Sequence, residues 1–310
     1  MLQATTLLSV LSWQGVFLAK NFLSTEEIHQ FRHLGERLRA SHPSLGLQNR
    51  GNLTEANFID EREDSILPDY ARVLEDRITN VTGIPLHPDE TSLLFTRQLP
   101  FPNPPSSVGY LHHDKNGRRR RTVTCLIYLT TTEQDEDGGH TLFPAIPRTL
   151  VDPLSIVGNN DKVDGLTTDT DTDMLHSYQL PQGWRQPASV TRKVAARLSR
   201  GFQHGHLTLT DGSYGNERNL WDRSAFRLVQ KECTLARKGK SNALSIRPKA
   251  GDAVFFWSSF ADGRANPFLW HTACVAVSGG PREAIQKFKE PLVHNDVWEE
   301  EVETDGGGER

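Results

Sequence analysis

This 310-residue chain predicts an α+β fold in which helices support one face of a sheet, on two observations. Helical periodicity is confined to the first part of the chain, and from Thr91 onward the apolar period becomes that of strands. Val10 to Ala19 alternates loosely, carries Val, Trp and Phe, and reads as a strand. Ser24 precedes Thr25-Glu26-Glu27, an N-cap with a glutamate three residues on. Ile28, Phe31, Leu34 and Leu38 then continue at helical spacing to about Ala40. Ser41 to Ser65 is polar and reads as a loop. Leu67-Pro68 opens a second helix with Tyr70, Val73, Leu74, Ile78 and Val81 on one face, closed by Gly83. Strands are expected at Ser92 to Thr96, Gly109 to His112, Thr122 to Thr130, from Thr141, and at Ala253 to Trp257, Trp270 to Val277 and Ala284 to Phe288. Gln134 to Gly139 is an acidic turn.

Residues 148–244 break this pattern. The stretch is rich in Asp, Thr, Asn and Gly (GNNDKVDGLTTDTDTD), then basic and helix-like (TRKVAARLSRGF). It is far longer than an ordinary loop, so it reads as an insertion, either folded or a partly ordered lid. The expected organisation is one domain over residues 1–290, interrupted by insertion 148–244, with an acidic tail over 291–310.

Composition narrows the function classes. Hydrophobic content of 36% and 24% charged residues describe an ordinary globular chain, and a net charge of -4 gives no reason to expect nucleic acid as partner. The run Arg118 to Arg121 reads as a solvated turn entering a strand. No stretch approaches the roughly 20 apolar residues of a membrane span, and the N-terminus lacks the basic start of a signal peptide. Cys125, Cys233 and Cys274 are too few and too scattered for a disulfide framework, and Cys125 reads as a buried thiol. Their odd count fits a reducing, cytoplasmic compartment. Nothing in the composition bears on oligomeric state.

The chemistry concentrates in YLHHDKNGRRRRTVTCLIYLTTTEQDEDGGHTLFP, from Tyr110 to Pro144. An H-x-D pair ending a strand, joined by a distant histidine, is a way to hold Fe(II). Imidazole nitrogen and carboxylate oxygen suit that ion, and three ligands on one face leave the other face open. Alternation places residues i and i+2 on one face, so His112 and Asp114 form the pair and His113 points away. His204, His206 and Asp211 read as a surface loop rather than a second metal site.

Several motifs then follow in order: Tyr110, His112-x-Asp114, Arg121-x-x-Thr124-x-Leu126-x-Tyr128-Leu129, Gly138-Gly139-x-Thr141-x-Phe143-Pro144, Pro248-Lys249-x-Gly251-Asp252-Ala253 and His271-x-x-Cys274. Together they resemble the catalytic domain of prolyl 4-hydroxylases over about residues 9–147 and 246–290. LSWQGVFLAKNFLSTEE and LEDRITNVTGIPLHPDE resemble the opening strand and supporting helices of plant and algal members.

The resemblance implies a double-stranded β-helix, a jelly-roll or cupin-like architecture, with N-terminal supporting helices. It also implies a dioxygenase that uses Fe(II), 2-oxoglutarate and O2, with L-ascorbate rescuing the iron. His271 becomes the third ligand, placed in the apolar strand FLWHTACVAV. The far carboxylate of 2-oxoglutarate needs a cation, and GGPREAIQKFK offers Arg282 in place of the family lysine, with Lys287 as the fallback. Thr141 matches the threonine that assists that carboxylate, and Arg121 an arginine near the bound peptide. The implied partner is a proline-containing peptide or protein, and the resemblance allows the endoplasmic reticulum. Two alternatives stay open: another side chain or a small molecule as substrate, and a non-catalytic binding module of the same fold. The chain departs from the family at Leu94-Phe95-Thr96-Arg97-Gln98, where a tyrosine normally ends the strand, and in a shorter loop between Asp114 and Arg121.

Overall fold

The computed structural model describes residues 8–12, 15–41, 48–50, 53–57, 68–88, 90–104, 112–114, 121–148, 223–259 and 266–291. Tyr110 and residues 109–111 of the strand expected over Gly109 to His112, Arg118 to Arg120, the His204, His206 and Asp211 group, residues 149–222 of the insertion and the acidic tail after residue 291 lie outside the described residues.

Helix α1 (Thr25–Ser41) starts where its cap predicts. Ser24 Oγ accepts from the Glu27 N–H at 3.2 Å, and Glu27 Oε2 accepts from the Ser24 N–H at 2.8 Å, so two amide donors are satisfied reciprocally. Helix α2 (Asp69–Thr82) ends at Gly83, whose left-handed φ of 69° lets its N–H reach the Thr79 carbonyl. Ala71, Leu74 and Ile78 of α2 are buried, while Val73 is exposed.

The strands are β1 (Leu8–Ser12), β2 (Val16–Ala19), β3 (Gln48–Arg50), β4 (Leu53–Asn57), β5 (Leu94–Gln98), β6 (Val123–Tyr128), β7 (Thr141–Pro147), β8 (Ala243–Ile246), β9 (Ala253–Trp257), β10 (Thr272–Ala273) and β11 (Arg282–Lys289). Eight of them form an antiparallel sheet in the order β1-β2-β9-β6-β11-β5-β4-β3, and a three-stranded sheet runs β10-β7-β8. Two cores use the two faces of the large sheet. Cys125, Ile127, Phe255 and Ile285 on its outer face pack under Phe31, Leu34, Leu74 and Ile78 of the helices. Leu126, Tyr128, Val254 and Phe256 on its inner face meet Phe143, Ala145, Leu244 and Ile246 of the small sheet. Antiparallel sheets joined through one core and helices covering the other face realise the expected α+β class.

Four expectations change. Val10 to Ala19 is a hairpin, β1 paired with β2, rather than one strand. The polar segment after α1 contributes β3 and β4, which extend the sheet beyond β5. Its polarity hid strands whose position at the sheet edge demands few apolar residues. The strand expected over Trp270 to Val277 is only Thr272–Ala273, preceded by a short 3-10 turn at Pro267–Leu269 that the Asn266 side chain caps. Finally, Cys233 and Cys274 form a disulfide, while Cys125 is free and buried. Helix α3 (Arg223–Ala236) brings Cys233 to within 5.5 Å, Cα to Cα, of Cys274 across a sequence separation of 41, a proximity that spacing does not reveal. The cysteine argument for a reducing compartment therefore falls away.

Candidate metal centre

His112 and His271 meet as an antiparallel bridge. The His112 N–H donates to the His271 carbonyl at 3.0 Å and the His271 N–H returns the bond at 2.9 Å. That pairing sets the two rings 4.2 Å apart, centroid to centroid. Asp114, two residues on, returns to the same face. Its Oδ1 lies 3.3 Å from His112 Nε2 and 3.7 Å from His271 Nε2. Among the described residues these three form the one group placed to hold a metal ion, with ligand atoms within 4.8 Å of one another.

The surroundings prepare each donor. His271 Nδ1 faces the Leu269 carbonyl at 3.0 Å, and a carbonyl only accepts, so Nδ1 carries the proton and Nε2 keeps its lone pair for a ligand. Burial, opposed by Asp114, lowers the His271 pKa to about 4, which keeps the ring neutral near pH 7. Burial pushes the Asp114 carboxyl up, but His271, His112 and the Thr124 hydroxyl outweigh it and hold the group well below the usual carboxylate range. Asp114 Oδ2 accepts from Thr124 Oγ1 at 2.5 Å. Phe256 and Phe143 stand 4.7 and 5.7 Å from the His271 ring and keep its inner side apolar.

His113 takes no part. It is buried on the opposite side, its Nε2 3.0 Å from the Asn266 carbonyl, and its ring packs edge-on against Trp270.

Register separates the candidate anchors for a dicarboxylate. Ala284 pairs with Tyr128 and Lys287 with Cys125, so Arg282 stands on the inner face and Lys287 on the outer. Lys287 Nζ is spent on Glu75 at 2.9 Å and Glu90 at 3.3 Å beneath α2. Arg282 donates to the Gly280 carbonyl at 2.8 Å and the Ser278 carbonyl at 3.4 Å, while its buried Nε has no hydrogen-bond partner among the described residues. Gly139, at a φ of 73°, makes room for it, since a Cβ there would lie 2.7 Å from Arg282 Nε. Two residues on, Thr141 Oγ1 accepts from the Tyr128 hydroxyl at 2.8 Å. Arg121 lies over the Phe288 ring at 3.6 Å, and Phe288 pairs with Thr124 on β6.

Thr124 and Tyr128 are thus site neighbours whose contacts sequence reasoning missed. Their alternation with Leu126 along one strand was the available signal. Which of the two faces looks toward Asp114 depends on sheet pairing.

Residues 107–289 match the family model of the 2OG-Fe(II) oxygenase superfamily. No curated protein matches the chain in sequence. Among solved structures, the viral collagen prolyl hydroxylase of Paramecium bursaria chlorella virus-1 is similar at 13% identity and a TM-score of 0.42, over 92% of this chain and 99% of that one. HygX from Streptomyces hygroscopicus, with nickel and 2-oxoglutarate bound, is similar at 14% identity and a TM-score of 0.44, over 90% of this chain and 83% of that one. A prolyl-4-hydroxylase of Pseudomonas putida is similar at 12% identity and a TM-score of 0.39, over 89% of this chain and 92% of that one.

Proposed function

We propose, from the premise that the chain belongs to the 2OG-Fe(II) oxygenase superfamily, that it hydroxylates a prolyl residue of a protein or peptide. The observation that carries the reading is the convergence of His112, Asp114 and His271 from two distant segments onto one point. Two imidazole nitrogens and one carboxylate suit Fe(II). The inner face also suits 2-oxoglutarate, because Arg282 keeps a buried Nε without a hydrogen-bond partner among the described residues, beside Gly139, with Tyr128 and Thr141 close by in the fold. When bound, Fe(II) and 2-oxoglutarate supply the oxidising chemistry: O2 is consumed, succinate and CO2 leave, and one oxygen atom enters a substrate C–H bond.

The chain's own residues do the rest. His112, Asp114 and His271 hold the ion from one side. Arg282 and Thr141 anchor and orient the dicarboxylate, the guanidinium through charge-assisted hydrogen bonds. Phe143 and Phe256 exclude water around His271. Arg121, stacked on Phe288, lines the approach for a peptide. L-ascorbate is the expected reductant for iron left oxidised after an uncoupled turnover.

The prolyl assignment rests on the ordered motifs of the sequence. A second reading keeps the chemistry and changes the substrate to another side chain or a small molecule. It draws on β5, which ends at Gln98 directly opposite Arg282, where the family carries a tyrosine. Succinate release, measured with proline-rich, collagen-like and folded-protein substrates and checked by mass spectrometry for one added oxygen, separates the two. Turnover with none of the proline-containing substrates, but with a small molecule, would overturn the prolyl assignment.

A further inference from the structure

We infer that Thr124 is a positioning residue that keeps Asp114 a one-oxygen ligand and so preserves the open half of the metal's coordination sphere; the inference rests on the metal-centre reading above. A carboxylate turned freely about its Cβ–Cγ bond offers a cation either one oxygen or both. Asp114 is not free to turn. Oδ1 faces both imidazoles, at 3.3 Å and 3.7 Å, and Oδ2 is held by the Thr124 hydroxyl at 2.5 Å. The donor is itself fixed. Thr124 is fully buried in β6 and flanked by Phe256 of β9 and Phe288 of β11 in the ladder. Its β-branched side chain has little χ1 freedom, so the hydroxyl is aimed by a strand paired on both sides.

The consequence is a division of labour between the two oxygens. Oδ2, engaged in a short charge-assisted hydrogen bond, is a poor second ligand. His112, His271 and Asp114 would then offer the ion two nitrogens and one oxygen. Without the hydroxyl, Asp114 would be free to present both oxygens to the ion and to compete with the donor atoms of a 2-oxo acid or O2. Valine fills nearly the volume of threonine and donates nothing.

The test uses the full chain stripped of metal and titrated with Co(II), whose visible absorption reports both affinity and coordination number. Thr124→Val is expected to bind Co(II) about 10- to 100-fold more weakly, the usual effect of removing a partner that orients a metal ligand. It is also expected to show a changed Co(II) spectrum and a weaker spectral response to added 2-oxoglutarate. Thr124→Ser, which keeps the hydroxyl, is expected to restore all three. A merely structural role would lower thermal stability and leave the Co(II) spectrum alone.

Thr124→Val with the wild-type affinity and spectrum, or Thr124→Ser as impaired as Thr124→Val, overturns the inference while the metal centre stands. Wild-type protein that takes up no Co(II), with His112→Ala no different, overturns the metal centre and the inference with it. If Thr124→Val does not fold, Thr124→Ala against Thr124→Ser makes the same comparison.

Discussion

Arg282 and Lys287 share strand β11 but are an odd number of residues apart, and the pleat sends them to opposite faces of the large sheet. On the outer face, Lys287 and Lys289 are wholly buried against Glu75 of α2 and Glu90 of the connection between α2 and β5, with donor–acceptor distances of 2.9–3.3 Å. Burial pushes the Glu75 carboxyl up, and the lysines pull it only partly back. On the inner face, Arg282 has carbonyls for two of its nitrogens and, among the described residues, none for its Nε. The outer cations complete a structure, and the inner one has capacity left for an anion. A cation's value to function lies in what its surroundings leave unsatisfied.

Variants on the two faces should therefore fail differently. The largest effect is expected at the centre: His112→Ala should reduce substrate-coupled succinate formation to background, and unchanged turnover would sink the site assignment. Lys287→Met comes next. It leaves the buried Glu75 carboxylate without its cation, while Glu90 keeps Lys289, and should cost about 3–5 kcal/mol in denaturant unfolding, while the folded fraction binds 2-oxoglutarate as the wild type does. A selective loss of 2-oxoglutarate affinity there would reverse the assignment of the two cations.

Arg282→Met should show the opposite pattern. Loss of charge-assisted hydrogen bonds worth about 1.5–3 kcal/mol raises the Kd for 2-oxoglutarate roughly 10- to 100-fold, with little change in unfolding. Gly139→Ala should move the Kd in the same direction, since its Cβ meets Arg282. The smallest effect belongs to Arg32→Ala. Arg32 pairs with Glu283 at 2.9 Å from a half-exposed position, and Arg39 holds the same carboxylate at 3.1 Å, so unfolding should change by about 1 kcal/mol or less.

Much of this is legible in the sequence. The Ser24–Glu27 cap, the Gly83 stop and the i, i+2 spacing of His112 and Asp114 are short-range signals, set by side chains a few residues apart. The order of motifs was enough to nominate His271, Arg282 and Thr141. The β3–β4 hairpin was not legible, because its pairing at the end of the sheet is set by the distant strand β5 and a polar segment carries no apolar run to signal it. The pairing of Cys233 with Cys274 was not legible either, because spacing along the chain says nothing about which helix lies on which strand.

The sequence by itself thus determined helices α1 and α2 and the central strands through local periodicity, while its ordered motifs nominated the candidate metal ligands and residue type the chemistry they suit. Only the tertiary structure decided which face each β11 cation serves, that Thr124 holds the second oxygen of Asp114, and that His112 and His271 bridge backbone to backbone. Those depend on the register between strands far apart in the chain, where a shift of one residue exchanges the two faces.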